Sequence, residues 1–323
     1  MKAMLVETAG TADAMRWTEV ETPSPGPGEV LIRHTRIGIN FIDVYYRSGL
    51  YAWPSDSIIP GAEGVGIVET LGAAVSAFAP GDRVCYVDRL GAYCEKRTIA
   101  ADKLVKLPDS IADDIAAACL LKGLTVHYLV NASYAVKAGD VVLVHAAAGG
   151  VGLILGQWLK ALGAIAIGTA GSADKVELAK ANGYAHVVNY RSEDFVKTVM
   201  EVTLGEGCAA VYDSVGADTW RRSLKSLRKR GMFVSFGQSS GMITDFKFSD
   251  LAAHGSLSAN RPVLFDYIDK RPELLERAGD LFRMIESGLV TIQPPELHAL
   301  ADAALAHSRL EARQTTGSLV LTT

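Results

Sequence analysis

The segment that most constrains the fold is a run of small residues between an apolar strand and an apolar helix. Val141–Val144 has the pattern of a buried strand, and His145, three alanines, two glycines, Val151 and Gly152 follow it directly. Strand, tight turn and helix in this order are the context required for a dinucleotide-binding turn. Backbone N–H groups at the helix N-terminus must approach a pyrophosphate, and side chains larger than Ala would block that approach. The predicted contacts are Gly149, Gly150, Val151 and Gly152. The alternative is a helix that packs tightly on its strand and binds no nucleotide.

From about Leu121 onward, apolar β-branched runs alternate with segments of helical spacing. This alternation predicts βαβ units and a doubly wound parallel sheet, the Rossmann arrangement within the α/β class. Both faces of the runs are apolar, as expected for a sheet covered on both sides. The predicted strands are Val141–Val144, Ala164–Ile167, His186–Asn189, Ala209–Tyr212 and Met232–Phe236.

The first third of the chain has short alternating runs separated by Gly and Pro, which predicts a β-rich domain. Near the C-terminus, a helix is predicted at roughly 272–287 and a last strand at 317–321 that returns to the first domain. We therefore predict a catalytic domain at residues 1–122, completed by 268–323, and a nucleotide-binding domain at 123–267.

Charge and cysteine usage exclude several classes of partner. The 323-residue chain has a formal net charge of −4, which argues against nucleic acid or an anionic membrane surface as the main partner. Its four cysteines form no CxxC pair, and we find neither a leader peptide nor an apolar run long enough to span a bilayer. We therefore expect a cytoplasmic protein with reduced thiols.

The end of the second predicted strand indicates which nicotinamide cofactor is bound. NAD sites usually place Asp or Glu there to bind the ribose 2′-hydroxyl, but this chain has Gly168–Ser172 and no acid. A 2′-phosphate is favoured by small residues, a hydroxyl and a cation, which Ser172 and Lys175 supply. The pattern therefore predicts NADPH. Lys175 alone could be a solvated helix lysine, and Asp174 beside it is the one dissenting charge.

Four segments carry a family resemblance: Ala146–Gly152, Gly38–Tyr51, Leu121–Leu129 and Tyr212–Gly216. In these segments the chain resembles the zinc-free quinone oxidoreductases of the zeta-crystallin type, a branch of the medium-chain dehydrogenase/reductase superfamily. The likeness covers essentially the whole chain. It implies a GroES-like N-terminal catalytic domain beside the Rossmann domain, an NADPH cofactor and a homodimer that pairs near 255–264.

The resemblance also implies individual cofactor contacts. The 2′-phosphate would be held by the Gly171–Lys175 turn, Tyr190 and Arg313, although Arg313 alone could be a surface cation. The nicotinamide half would be lined by Ser239, Ser240 and the Asn260, Arg261, Pro262 stretch, in which many relatives have Thr in place of Asn260. The remaining contacts implied are Phe41, Asp43, Thr125, Ser214, Phe236 and Gly237.

Zinc alcohol dehydrogenases of the same superfamily use a Cys and a His as ligands at two positions that differ here. This chain has Asn40 in place of the Cys and Ala62 in place of the His. Both soft ligands of a zinc site are thereby removed. The sequence predicts an enzyme without a metal site.

Without zinc to polarise a carbonyl, the pattern disfavours alcohol oxidation and favours a quinone or activated enone as acceptor. Hydride addition to a quinone gives a delocalised phenolate that modest hydrogen-bond donors stabilise. Asn40 and Tyr51 are the predicted donors, in a cleft between the domains, although Tyr51 could instead be a packing residue. An alkenal or enoyl reductase is the nearest alternative, and a structural or RNA-binding zeta-crystallin-like protein is the non-enzyme alternative.

Overall fold

The computed structural model describes all 323 residues, which divide into two compact units. The first unit contains residues 1–121, 268–286 and 292–323, and the second contains residues 122–267 and 287–291. The first is built on a mostly antiparallel sheet and the second on a parallel sheet with helices. The predicted α/β class is therefore confirmed.

The elements are numbered along the chain. The strands are β1 (Lys2–Leu5), β2 (Arg16–Glu19), β3 (Glu29–Ile39), β4 (Glu63–Leu71), β5 (Arg83–Val87), β6 (Lys96–Ala100), β7 (Leu104–Lys106), β8 (Val141–Val144), β9 (Ile165–Ala170), β10 (His186–Asn189), β11 (Cys208–Asp213), β12 (Leu227–Ser235), β13 (Ser258–Asn260), β14 (Glu296–Ala299) and β15 (Leu319–Thr322). The helices are α1 (Phe41–Arg47), α2 (Asp113–Tyr128), α3 (Gly150–Ala161), α4 (Ala173–Ala181), α5 (Phe195–Val202), α6 (Trp220–Lys225), α7 (Phe248–Ala253), α8 (Leu264–Tyr267), α9 (Arg271–Glu286) and α10 (Ala303–Glu311).

The second unit contains a six-stranded sheet in the order β10-β9-β8-β11-β12-β13, and all its pairings are parallel. The chain winds outward from β8 through β9 to β10 and then crosses back to β11 on the other side of β8. Such a reversal of strand order opens a crevice at the carboxyl ends of the strands, where ligands bind in doubly wound sheets. A cofactor site is therefore expected at the boundary between β8 and β11.

Sequence periodicity located these strands well and their ends less well. The predicted limits of β8 and β10 agree with the structure, whereas β9, β11 and β12 differ from the predictions by one to five residues at an end. The predicted helix at roughly 272–287 is α9, Arg271–Glu286. Strand ends are poorly marked here because the buried runs continue into apolar or small loop residues.

The first unit is organised around the long strand β3. It pairs antiparallel with β4, β6 and the last strand β15, so the C-terminal segment completes the sheet that the N-terminal segment begins. Its core packs around buried side chains that include Ile32, Ile37, Tyr86 and Tyr93. The core of the second unit lies between its sheet and helices, with Leu143, Ile167, Phe195, Val211 and Trp220 among its members.

A close approach of β3 to α2 depends on Gly38. A β-carbon at Gly38 would lie 2.3 Å from the carbonyl oxygen of Ala117 and 2.3 Å from Oε2 of Glu63. No real side chain tolerates such distances, so only Gly fits between the buried Glu63 carboxylate and the helix. This contact brings a charged group into the first unit directly beside Asn40.

The helical segment Asp113–Ser133, which is α2 followed by the short π-helix Leu129–Ser133, corrects one sequence prediction. Its 21 residues have a mean hydropathy of 1.4 and are long and apolar enough to cross a membrane by length and composition, contrary to our expectation. However, 78% of its most apolar window is buried inside the protein, as in the core helix of a globular domain.

Candidate active site

The turn after β8 leads straight into the N-terminus of α3. Gly149 is the N-cap, and Gly150, Val151 and Gly152 form the first turn, which contains no acidic residue. The first N–H groups of an α-helix have no acceptor within the helix, so this end of α3 presents unpaired donors and a positive dipole end. The predicted pyrophosphate residues are thus gathered at a site suited to an anion.

Gly152 is required by packing. A β-carbon there would lie 2.4 Å from the carbonyl oxygen of Ala146 and 2.6 Å from that of Ala147. Ala146 itself has a φ of 55°, in the left-handed region that glycine adopts more readily. The turn therefore folds tightly against the helix, with Gly152 making room for its carbonyl groups.

The turn after β9 brings together the residues of the second unit that are predicted to bind a 2′-phosphate, whereas Arg313 belongs to the first unit. Ser172 is the N-cap of α4, and its hydroxyl accepts a hydrogen bond from the Lys175 backbone N–H at 3.4 Å. A β-carbon on Gly171 would lie 2.6 Å from the hydroxyl oxygen of Tyr190, a residue that is 40% exposed. Gly171, Ser172, Lys175 and Tyr190 thus share one end of the sheet, and no carboxylate ends β9.

The loops after β11 and β12 are joined by backbone contacts. The N–H of Ser239 donates to the carbonyl of Ser214 at 3.1 Å, and Gly237 lies so close to Ser214 that a β-carbon would come within 2.8 Å of its carbonyl oxygen. The hydroxyl of Ser240 donates to the Val215 carbonyl at 2.8 Å. Ser240 therefore helps to hold the two loops together, a role that the sequence did not indicate. Phe236 begins this second loop, immediately after β12.

The remaining predicted cofactor residues of the second unit lie at the edge of its sheet and on α2. Asn260 ends β13, where it pairs with Val234, and Arg261 Nη1 donates to the carbonyl of the buried Pro262 at 3.3 Å. Thr125 is a buried residue of α2.

In the first unit, Asn40 lies directly before α1 and is 7% exposed. Its Nδ2 donates to Oε2 of Glu63 at 2.9 Å, and Oε1 of Glu63 accepts the backbone N–H of Leu121 at 2.8 Å. Glu63 is fully buried. The Asn40 amide is thus oriented by a carboxylate and keeps its second N–H for another acceptor.

Asp43, on the first turn of α1, is fully buried. Its Oδ2 accepts the backbone N–H of Asn40 at 2.8 Å and the hydroxyl of Tyr93 at 3.0 Å. Because the Tyr93 proton goes to Asp43, the 2.8 Å contact between Tyr93 and His307 is donated by Nε2–H of the neutral histidine. Burial, with a smaller contribution from Arg47, lowers the pKa of His307 to about 3.

Tyr51 belongs to a half-buried row of aromatic rings with Phe41 and Tyr45. Its ring lies 5.3 Å from Tyr45 and 5.4 Å from Tyr46, edge to face in both cases. Phe41 extends the row at 6.3 Å from Tyr45. The packing interpretation of Tyr51 therefore has a structural basis, and its role as a donor stays a prediction.

Arg313 follows the C-terminus of α10 in a left-handed conformation, with a φ of 58°. Its N–H donates to the Leu310 carbonyl and that of Gln314 to the Arg309 carbonyl, both at 3.1 Å, which is the Schellman pattern. Glycine is preferred at this position because a β-carbon there costs about 1 kcal/mol. The contact of the Arg313 side chain with a 2′-phosphate stays a prediction.

The sequence interpretation missed a buried polar network beneath the glycine turn. His145 lies with Nδ1 3.0 Å from the Thr169 hydroxyl and Nε2 2.9 Å from the Ser223 hydroxyl, which in turn donates to Asp213 at 3.0 Å. Burial lowers the pKa of His145, so it is neutral. Asp213 also accepts the N–H groups of Val215 and Gly216, which shapes the loop containing Ser214. The sequence signal for this network was a polar residue, His145, between the apolar strand β8 and the three alanines that follow.

The structure places Asn40 and Ala62, the two residues predicted to replace zinc ligands, in a buried setting. The Asn40 amide is bonded to Glu63, and Ala62 is fully buried. Nowhere in the chain do three or more His, Cys, Asp or Glu side chains group to hold a metal ion.

Comparison with known proteins identifies a domain family in each part of the chain. Residues 150–277 match the family described as zinc-binding dehydrogenase, and residues 26–109 match the alcohol dehydrogenase GroES-like domain. The second match includes Asn40 and Ala62, the two positions at which the sequence predicts the loss of zinc ligands.

Full-length relatives were also found. The chain is 46% identical over 313 residues to a quinone oxidoreductase of Pseudomonas aeruginosa, covering 97% of this chain and 96% of that protein. It is 40% identical over 326 residues to a 2-haloacrylate reductase of a Burkholderia species, covering 99% and 98%. A crystal structure of Escherichia coli quinone oxidoreductase complexed with NADPH covers 100% of both chains at 44% identity, with a TM-score of 0.98.

Proposed function

The chain belongs to the quinone oxidoreductase family, and from this premise we propose that it reduces quinones with NADPH and without a metal ion. NADPH, when bound, supplies the hydride, and a proton from water completes the conversion of the quinone to a hydroquinone. The chain's own contribution is to bind both molecules, exclude water and stabilise the charge that develops on the acceptor oxygen.

The observation that carries this proposal is the turn after β9. Gly171 and Ser172 leave the end of the strand without a carboxylate, and Tyr190 packs against Gly171. A carboxylate here would repel a 2′-phosphate, whereas the hydroxyls of Ser172 and Tyr190 and the charge of Lys175 favour one. The N-terminus of α3, with Gly150, supports binding of the pyrophosphate of the same cofactor.

For the acceptor, the proposal rests on α1. The aromatic row Phe41, Tyr45 and Tyr51 offers flat apolar surface to a ring system. The second N–H of Asn40 and the Tyr51 hydroxyl are the donors proposed for the acceptor oxygen. Glu63 and Asp43 orient Asn40: Glu63 accepts a hydrogen bond from its side chain, and Asp43 accepts one from its backbone N–H.

The test is an acceptor screen with purified protein, following NADPH oxidation by absorbance. We expect turnover with simple benzoquinones and naphthoquinones, with hydroquinone formed in equal amount. NADPH binding without turnover on any acceptor would contradict the proposal and favour a non-catalytic role. Parallel assays with nucleic acid would identify an RNA-binding function.

An alkenal or enoyl reductase is the second candidate, favoured by the similarity to a 2-haloacrylate reductase. A 2-haloacrylate is an activated enone-like acceptor and takes a hydride at carbon. The same screen should therefore include 2-chloroacrylate and an alkenal. Turnover on these compounds with none on quinones would make this the function.

We further propose that the protein is a cytoplasmic homodimer that pairs along β13. That strand forms one edge of the six-stranded sheet, and Val263 nearby is 39% exposed. Leu264, which lies in the segment expected at the interface, is 8% exposed and so offers little surface to a partner. The unpaired backbone of an edge strand supports a symmetric pairing. Light scattering at micromolar concentration tests the dimer, and a monomer would refute it.

A further inference from the structure

The polar network of His145, Thr169, Ser223 and Asp213 crosses the carboxyl ends of three neighbouring strands of the second unit. His145 directly follows β8, Thr169 lies next to the end of β9, and Asp213 is the last residue of β11. Ser223, on α6, lies between His145 and Asp213. None of the four residues is more than 2% exposed. The network therefore joins β9, β8 and β11, the strands at which the strand order reverses.

The direction of these hydrogen bonds follows from the carboxylate at one end. The Ser223 hydroxyl donates to Oδ2 of Asp213 at 3.0 Å, so its oxygen accepts Nε2–H of His145 at 2.9 Å. Burial lowers the pKa of His145, so the ring is neutral and its Nδ1 accepts the Thr169 hydroxyl at 3.0 Å. Removal of either hydroxyl leaves one nitrogen of a buried ring without a partner, which is a costly state.

At one end of the network, Asp213 shapes the loop after β11. Its Oδ1 accepts the N–H groups of Val215 and Gly216 at 2.8 and 3.0 Å. The carbonyl of Val215 in turn accepts both the N–H and the hydroxyl of Ser240, at 2.9 and 2.8 Å. The position of the loop after β12, which is predicted to line the nicotinamide half of the cofactor, therefore depends on Asp213.

At the other end, Thr169 lies between the two turns predicted to bind the adenosine half. Its carbonyl accepts the N–H of Ala147, in the glycine turn, at 2.9 Å. Gly171 and Ser172, predicted to bind the 2′-phosphate, follow it two and three residues later. The position of Thr169 therefore affects both the pyrophosphate turn and the 2′-phosphate turn.

We propose that Thr169, His145 and Ser223 are positioning residues for the cofactor, which set the spacing between the loops of its adenosine half and those of its nicotinamide half. They act through the loops that they connect. One dinucleotide must meet all these loops at once, so an error in their spacing weakens its binding even where every contact residue is intact. The inference rests on the proposed function, since it takes NADPH as the ligand.

The experiment measures the dissociation constants of two ligands for the purified protein by calorimetry. One ligand is NADPH, and the other is adenosine 2′,5′-bisphosphate, which has only the adenosine half. Ser223→Ala breaks the link from β8 to β11, so it should raise Kd for NADPH about three- to ten-fold and leave Kd for the bisphosphate unchanged. Thr169→Val breaks the link from β9 to β8 and should raise both. Thr169→Ser, which keeps the hydroxyl, should restore both values.

Ser226→Ala is the matched control. Ser226 is also fully buried, at the C-terminus of α6, but its hydroxyl donates to the Arg222 carbonyl at 3.0 Å and lies outside the polar network. It should leave both dissociation constants unchanged, whatever its effect on the melting temperature.

Two results distinguish a failure of this inference from a failure of the proposed function. If wild type binds NADPH, and Ser223→Ala either weakens the two ligands equally or matches Ser226→Ala, the positioning role is wrong and the proposed function stands. A wild type that does not bind NADPH would overturn the proposed function itself.

Discussion

The amide of Asn40, the residue predicted to stand in place of a zinc-binding cysteine, donates to the carboxylate of Glu63 at 2.9 Å. Both oxygens of Glu63 act as acceptors, one for Asn40 and one for the Leu121 N–H, and the group is fully buried. If an amide replaced the Glu63 carboxylate, one of its two acceptor oxygens would become an NH₂ group. That group is a donor and would compete with the donor it faces, Asn40 or the Leu121 N–H.

Glu63→Gln should therefore lower the free energy of unfolding by about 1–3 kcal/mol and reduce kcat with quinones, because Asn40 loses its fixed orientation. Urea unfolding and steady-state kinetics measure the two effects. Glu69→Gln on the same strand is the control: Glu69 pairs with Arg33 and Lys96 near the surface, so about 0–1 kcal/mol is expected. Equal effects at the two positions would refute the role given to Glu63.

Gly152→Ala should impair cofactor binding and stability together. The new methyl group would meet the Ala146 carbonyl oxygen at 2.4 Å, so the turn and the start of α3 must separate. Gly279→Ala on α9 is the contrasting control, because the added β-carbon meets only the flexible end of Arg283, at 3.4 Å. It should stabilise by about 0.5–1 kcal/mol, since Ala favours a helix interior over Gly. NADPH titration measures cofactor binding, and thermal melting shows whether the two substitutions change stability in opposite directions.

Acidification should destabilise the protein through two buried histidines. Burial lowers the pKa of His34 and of His307 to about 3, helped by Arg97 and Arg47 respectively. In the unfolded chain both bind a proton near pH 6.5, so between these values the unfolded state holds more protons. The free energy of unfolding should thus be maintained above pH 6.5 and fall by about 1.4 kcal/mol per histidine for each pH unit below it.

Urea titrations between about pH 4 and about pH 7 measure this slope. His307→Gln should reduce it by about 1.4 kcal/mol per pH unit, whereas His186→Gln, at an exposed position on β10, serves as the control. If His307→Gln leaves the slope of the free energy of unfolding against pH unaltered, the lowered pKa of His307 is contradicted.

The second-unit site was largely predictable because its determinants are local in sequence. The glycine turn lies between β8 and α3, and the missing carboxylate and Ser172 lie within a few residues of the end of β9. In contrast, the contact between Tyr93 and His307 joins residues 214 positions apart, and no periodicity reports it. In the segment around Glu63, the sequence pointed only to Ala62, which replaces a histidine. The hydrogen bond between Asn40 and Glu63 could not be predicted, because it depends on the register of β3 and β4.

Metal independence follows from Asn40 and Ala62 at the two former ligand positions. Prolonged dialysis against a chelator should leave both the quinone reductase activity and the melting temperature unchanged, because neither side chain is a soft ligand. Elemental analysis of the purified protein provides the check. Zinc present in stoichiometric amount would contradict this prediction.

The preference for NADPH is the central claim, and Lys175 tests it most directly. The measurement is the ratio of kcat/KM for NADPH to that for NADH, in wild type and in Lys175→Ala, with a simple quinone. Lys197→Ala is the control, at an exposed lysine of the same unit. A charge-assisted bond contributes about 1.5–3 kcal/mol, so Lys175→Ala should lower kcat/KM for NADPH by roughly 10- to 150-fold and leave NADH unaffected. Equal use of both cofactors by wild type, or a parallel loss of both in Lys175→Ala, would contradict the account.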